Sequence, residues 1–346
     1  MSLVAGSNER FIWGFKLKPV TTEQSLTLAP LFSYPSHQSA ILSAAAAGPI
    51  AASGSSDDTI HLYDLPSAAS LGSLYQHTAS VTALSFFTPA SLSFPRNLIS
   101  ADAEGYVCIF DADPFVHLKT VRAHKKRIND LAVHPSGKLA LSVGRDDCLA
   151  MLNLVRGRRS FYCRLGKEAS LVRYGLDAEK FFMATEEKVG VHETEDAKLV
   201  TELQCPNRVL CAAPGENGLL FTGGEDKNIT AWDTKTGKVA YCIEDAHKSR
   251  VKGIVVLTKS NGGVDDPYLL ASASSDGVVR VWDVRNSMKE EKANPLAEAS
   301  TNARLTCLAG SSIKSFKRTR ATSQEDQTAA LKNPKRKSHS TSGEES

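Results

Sequence analysis

Aromatic residues are scarce in this chain, at 7 % of 346, and only 3 of them are Trp. Each large ring must therefore do much of the anchoring in its own part of the fold. No two of the seven cysteines (108, 148, 163, 205, 211, 242 and 307) form a CxxC pair. Structural zinc needs clustered Cys and His ligands, so neither a metal site nor a cofactor is expected. An odd cysteine count without clustering reads as buried or half-buried thiols in a reducing compartment, not as a disulfide framework. The longest weakly polar stretch, 40–54, is mostly Ala, Ser and Gly and contains Pro49. It is too short and too polar to cross a bilayer. Residues 1–10 hold no basic stretch followed by an apolar run, so no targeting leader and no membrane role are expected. The sequence also lacks a GxSxG elbow. A Walker-type phosphate loop and a GxGxxG turn leading from strand to helix are missing as well.

What is present is ordinary globular composition, 42 % hydrophobic and 23 % charged, with a net charge of +3. The charge is uneven. Residues 314–346 carry a net +4, which leaves −1 for residues 1–313.

One phrase recurs: a small-residue strand ending in Ser or Thr, a tight acidic turn, then an alternating apolar strand ending in an aromatic–acid pair. It reads AASGSSDDTIHLYD (51–64), LISADAEGYVCIFD (98–111), LALSVGRDDCLAMLN (139–153), LFTGGEDKNITAWD (220–233) and LLASASSDGVVRVWD (269–283), with a degraded copy FFMATEEKVGVHE (181–193). The penultimate anchors are Tyr63, Phe110, Leu152, His192, Trp232 and Trp282, spaced by 47, 42, 40, 40 and 50 residues. Periods near 40–45 belong to four-stranded propeller blades. The two long steps contain insertions, 89–96 and 260–267, whose Pro, Gly, Asn and Ser read as surface loops. Six residues before each anchor stands an acid: Asp57, Glu104, Asp146, Glu186, Asp226 and Asp276. Four residues before that acid stand Ser53, Ser100, Ser142, Phe182, Thr222 and Ser272. His37, His77, His124 and His247 open four of the copies.

These spacings resemble WD40 repeats over roughly residues 10–310. The resemblance implies hydrogen-bonded sets of His, Ser/Thr, Asp and Trp, complete in His247, Ser272, Asp276 and Trp282. In His37, Ser53, Asp57 and Tyr63 a Tyr replaces the Trp. A buried network is favourable only when its members are satisfied. The expected fold is all-β, a seven-bladed WD40 β-propeller over 1–313. Its seventh blade is shared by the two ends: 304–309 as first strand, 312–317 as second, 11–17 as third with Trp13 in the anchor place, and 26–32 outermost. A disordered basic tail is expected over 314–346, since low hydrophobicity and high charge keep such a segment unfolded.

The recurrence of Ser, His and Asp invites a hydrolase triad, but repetition at fixed offsets in several blades reads as structure, so no catalytic residues are expected. Trp282-Asp283-Val284-Arg285 resembles the WDxR box of WD40 substrate receptors for cullin-4 ubiquitin ligases, whose Asp and Arg face the adaptor. Three basic clusters fall in loops of one rim: Lys125, Lys126 and Arg127; Arg145; and Lys248 with Arg250. They are candidate contacts for acidic protein segments or RNA phosphates. In the tail, Lys335, Arg336 and Lys337 form a cluster of the nuclear-import kind.

Leu3-Val-Ala-Gly6, His134-Pro-Ser-Gly-Lys-Leu-Ala-Leu-Ser-Val-Gly144, Ser272-Ala-Ser-Ser-Asp-Gly277 and Thr301-Asn-Ala-Arg-Leu-Thr-Cys-Leu308 together resemble the p21-activated-kinase-interacting WD40 proteins. That resemblance implies a non-enzymatic scaffold of the nucleus and nucleolus. It would act in large (60S) subunit biogenesis and rRNA processing, docking assembly factors and pre-60S particles. It also implies negative regulation of a p21-activated kinase. The chain is expected to act as a monomer within larger complexes. The alternative is a cullin-4 substrate receptor acting through Asp283 and Arg285.

Overall fold

The computed structural model describes residues 1–19, 26–257, 268–284 and 293–311. They form seven four-stranded antiparallel sheets. Strands β1 (Ser2–Ser7), β2 (Ile12–Pro19) and β3 (Leu26–Tyr34) come first. Blades 1 to 6 then follow in order: β4–β7 within 41–74, β8–β11 within 81–122, β12–β15 within 128–164, β16–β19 within 171–204, β20–β23 within 209–243 and β24–β27 within 251–300. The last strand, β28 (Leu305–Ser311), pairs with β1, so blade 7 runs β28-β1-β2-β3. The fold is thus a seven-bladed propeller closed by both chain ends.

Blade 7 departs from the expected strand assignment in one place. Its second strand is Ser2–Ser7, not 312–317, and only one strand comes from the C-terminal side. Every residue of β1 is buried between β28 and β2. Its sequence SLVAGS repeats the small-residue phrase of IAASGS in blade 1 and LLASAS in blade 6. Residues 312–346, which hold the expected boundary at 313, the tail and Lys335, Arg336 and Lys337, lie outside the described residues.

The core is circular. Seven hydrophobic clusters each join two neighbouring blades. Leu3, Phe15 and Leu305 of blade 7 meet Leu257 and Val281 of blade 6. Val4, Ile12 and Phe32 meet Ile41 and Tyr63 of blade 1. The first strands of neighbouring blades pack against one another around the axis. A Cβ added at Gly253 would sit 2.5 Å from Leu308 Cβ and 2.8 Å from its backbone N, so blades 6 and 7 approach only because that position is Gly.

Candidate docking site

The four histidines each bridge a buried hydroxyl and a carboxylate. In blade 6, His247 Nε2 lies 2.8 Å from Ser272 Oγ and Nδ1 lies 3.2 Å from Asp276 Oδ2. Trp282 Nε1 donates to the same Ser272 Oγ at 2.9 Å. In blade 1, His37 Nε2 lies 2.8 Å from Ser53 Oγ, Nδ1 lies 3.1 Å from Asp57 Oδ2, and Tyr63 Oη lies 2.9 Å from Ser53 Oγ. In blade 3, His124 bridges Ser142 (2.9 Å) and Asp146 (2.8 Å). Leu152 fills the anchor place there, and Tyr162 of the outer strand β15 (Arg158–Arg164) donates to Asp146 Oδ2 at 2.7 Å instead.

Blade 2 corrects the sequence reading. The partner of His77 is Asp102, at 2.8 Å, and not Glu104, which is exposed. Asp102 also accepts from the backbone N–H groups of Glu104 and Tyr106, at 3.0 and 2.8 Å. The acid stands two residues earlier than in the other blades, at the buried end of β9 (Asn97–Asp102). Blade 5 has no His. Trp232 Nε1 still donates to Thr222 Oγ1 at 2.8 Å, and buried Cys205 stands four residues before Val209, the offset at which His37 precedes Ile41. Burial pushes the Cys205 thiol up to about 12, with the Asp226 carboxylate adding to it. Blade 4 keeps no such set: Phe182 replaces the hydroxyl, and His192 stacks on Phe181 at 4.9 Å. Exposed Cys242 departs from the expectation of buried or half-buried thiols.

Ser, His and Asp here match the connectivity of a hydrolase triad, but Ser53, Ser100, Ser142 and Ser272 are 0 % exposed. A nucleophile must reach its substrate; these hydroxyls reach only their own blade. Their effect is on the rim. The backbone N–H of Gln38, Lys125 and Lys248 donates to the acid of its blade at 2.7, 2.8 and 2.9 Å. That contact pins the main chain and leaves the three side chains exposed.

The same motif holds its imidazole in two charge states. Burial pushes His37 down to about 4, and His61, with ring centroids 4.3 Å apart, pushes the same way against the Asp57 carboxylate. Burial also works against His77⁺, but the hydrogen bonds to Asp102 and Cys108 outweigh it and raise His77 to about 9. His77 therefore contributes stability that is complete below about pH 6.5 and is lost as pH rises through about 9. His37 is the reverse: its contribution holds above about pH 6.5 and is lost as pH falls through about 4. Nitrogen-detected imidazole NMR at pH 7 should show a protonated His77 and a neutral His37. A neutral ring at both sites would refute the assignment.

Of the basic rim candidates, Lys125, Lys126, Arg145 and Lys248 are exposed, and Arg127 and Arg250 are half-buried. Arg145 lies 3.7 Å from Glu168, an exposed pair. Burial and then the Arg145 charge push Arg127 down. The structure thus brings Lys125, Lys126, Arg127 and Arg145 together on blade 3, while Lys248 and Arg250 stand apart on blade 6. Asp283 ends the third strand of blade 6, β26 (Val278–Asp283), and has a partner. Arg285 lies outside the described residues.

Sequence reasoning did not identify the mouth of the central channel. A β-bulge one residue into the first strand recurs in blades 1, 2, 3, 5, 6 and 7. The skipped residues Leu42, Thr82, Asn129, Leu210, Lys252 and Thr306 line one cavity of about 320 Å³. Bulges re-aim a side chain, here toward the axis. Arg173 bonds Asp130 across blades 4 and 3, and Val172 N–H donates to the same carboxylate at 2.9 Å. Among the described residues no three His, Cys, Asp or Glu gather to hold a metal ion. No described helix is long and apolar enough to cross a membrane.

Seven blades, repeat spacing and hydrogen-bonded turns define a WD40 β-propeller protein. The pattern of the WD domain, G-beta repeat family matches residues 28–64, 115–152 and 241–283. A p21-activated protein kinase-interacting protein 1-like from Danio rerio is 32 % identical over 308 residues, covering 89 % of this chain and 80 % of its own. The Homo sapiens p21-activated protein kinase-interacting protein 1 is 31 % identical over 315 residues, covering 89 % and 76 %. Protein MAK11 of Saccharomyces cerevisiae is 26 % identical over 318 residues, covering 81 % and 74 %. The chain belongs to the family of p21-activated protein kinase-interacting WD40 proteins.

Proposed function

We propose that this chain is a non-enzymatic docking platform in nucleolar assembly of the large (60S) ribosomal subunit and in rRNA processing. It would hold assembly factors on pre-60S particles in a fixed geometry. The observation that carries the reading is the rim. Buried Ser–His–Asp sets immobilise the turns, so what faces outward is a preorganised array of charged side chains and not a reacting group. Rigid presentation lowers the ordering cost of binding. Family membership supports the large-subunit role through the resemblance noted above.

Affinity purification from nuclear extract, with and without RNase, tests it. The expected result is co-sedimentation with large-subunit precursors that survives Arg285→Ala. Recovery of a cullin-4 adaptor without ribosomal factors, abolished by Arg285→Ala, would replace this reading with the ligase receptor. A second reading, direct regulation of a p21-activated kinase, is favoured by the names of two relatives. One is the Homo sapiens protein and the other is Shk1 kinase-binding protein 15 of Schizosaccharomyces pombe, 27 % identical over 265 residues. It requires binding to a kinase regulatory domain that persists without ribosomal particles.

A further inference from the structure

The outer edges of blades 2 and 3 carry a concentration of positive charge that the rim clusters only touch. Residues 115–127 and 156–164 contain nine Lys and Arg and no Asp or Glu. Residues 1–313 sum to −1, so without these nine charges the other 291 residues sum to −10. The propeller is an acidic body with one basic wall.

The fold makes those two segments one surface. The first is β11 (Phe115–Arg122) and the loop after it; the second is the turn into β15 and β15 itself. Arg159 Nη1 donates to the Ala123 carbonyl at 2.8 Å, and Gly157 lies against the Lys119 side chain. Lys119 and Val121 oppose Ile109 and Val107, so they share a face, and Val121 packs toward blade 3. Arg159, Tyr162 and Arg164 oppose Leu152, Ala150 and Cys148, so they too share a face, and Leu152 packs toward blade 2. Lys119, Arg159 and Arg164 therefore face the groove between the two outer strands, whereas Arg122, opposite Tyr106, and Arg158, opposite Asn153, lie on the other faces of their strands. Both strands run from the lower turns to the rim, and seven residues of strand give a track about 20 Å long. Lys119, Arg122, Arg156, Arg158 and Arg164 are exposed. Among the described residues none of them has a carboxylate within 4.0 Å. Two guanidinium planes lie over rings: Arg159 over Tyr162 at 4.3 Å and Arg122 over Tyr106 at 5.7 Å.

We infer that this wall binds a single strand of nucleic acid through its phosphate backbone, with the Arg159–Tyr162 pair as a platform for bases. A line of like charges on two segments that contain no acid suits a uniform polyanion better than a folded protein face, where charges of both signs alternate. Flat guanidinium planes suit bases, which all present a π-face. The inference goes beyond the assembly reading and stands on the charge map alone.

The test uses the full chain and fluorescence anisotropy with labelled 20-nucleotide poly-U RNA, the matching DNA, an RNA duplex and a poly-glutamate peptide. Lys119→Glu/Arg156→Glu/Arg164→Glu should weaken single-strand binding at least tenfold. It should also flatten the salt dependence, by about 0.7 per lost contact in log–log slope. Reversal of exposed Lys198, Lys235 and Lys238 should leave both unchanged. The melting curve of each variant checks folding. The RNA and DNA arms tell which backbone is preferred, and either preference supports the wall. Unchanged affinity in the triple variant overturns the inference. So does loss of binding only when Lys317, Arg318, Arg320, Lys335, Arg336 and Lys337 are changed to Ala, or tighter binding of poly-glutamate or duplex. A triple variant that loses RNA but still joins large-subunit precursors leaves the assembly reading intact. A chain that binds RNA but joins no precursor refutes that reading and keeps this one.

Discussion

Leu305→Asp is expected to leave no cooperatively folded propeller, and a chain ending at residue 303 to behave the same way. Leu305 is 0 % exposed and sits in the cluster joining blades 7 and 6. Its strand β28 pairs with β1 from Ser2↔Ser311 to Ser7↔Leu305. Side chains tie both ends of the strand to blade 1: Thr306 Oγ1 donates to the Ile41 carbonyl at 2.6 Å, and Ser311 Oγ to the Gly48 carbonyl at 2.7 Å. Removing β28 strips the partner from β1, opens the clusters on both sides, and exposes a sheet edge. Truncating a buried Leu to Ala costs about 2–5 kcal/mol, and an unpaired carboxylate adds several more. Domains are stable by only about 5–15 kcal/mol. Leu305→Ala is the graded control and should melt cooperatively at a lower midpoint. Thermal melts by circular dichroism read all three variants. An open repeat array would lose only its terminal unit. Retention of the parental midpoint by the 303-residue chain would therefore show that closure does not hold the molecule together.

The ring was legible because its units repeat. Anchors near 40-residue spacing identify blades even where the anchor is Leu152 or His192, since spacing survives substitution. Legibility fails where one blade solves the same physical problem differently. Asp102 binds His77 from the end of the strand instead of from the turn, so counting back from Phe110 lands on exposed Glu104. Tyr162 reaches Asp146 from an outer strand, outside the phrase altogether. Cys205 stands at a histidine position and is found by its offset from Val209, not by its type. The second strand of blade 7 departs from the expectation for another reason. The phrase SLVAGS was visible in 2–7, but it precedes the first anchor instead of following a repeat, and linear order hid it. The basic wall shows a deeper limit. Its two halves are more than 28 residues apart in the chain, and only the packing of blade 2 against blade 3 makes them one surface.

Asp102→Ala should be the most damaging single change among the buried turns, while Glu104→Ala should be almost silent. Asp102 is 1 % exposed and His77 is 7 % exposed, with 2.8 Å between them. The pair sits on Ser100, whose Oγ lies 2.6 Å from His77 Nε2. Removing the carboxylate leaves a buried imidazolium without its counter-charge, and the N–H groups of Glu104 and Tyr106 without their acceptor. Breaking one side of a buried ion pair costs about 3–5 kcal/mol. His77 escapes part of that cost by losing its proton, so the Asp102→Ala variant should titrate His77 well below about 9, the value set by the intact pair. Asp102→Asn keeps an acceptor for the N–H groups and removes only the charge, so its stability should fall between the two. Glu104 lends the network only its backbone, and Ala lends the same N–H; a surface change of that kind stays within about 0.5 kcal/mol. Chemical denaturation of the four proteins at pH 6 gives the ranking parent ≈ Glu104→Ala > Asp102→Asn > Asp102→Ala. An equal loss from Glu104→Ala would mean that the spacing rule, and not the buried strand end, locates the acid of blade 2.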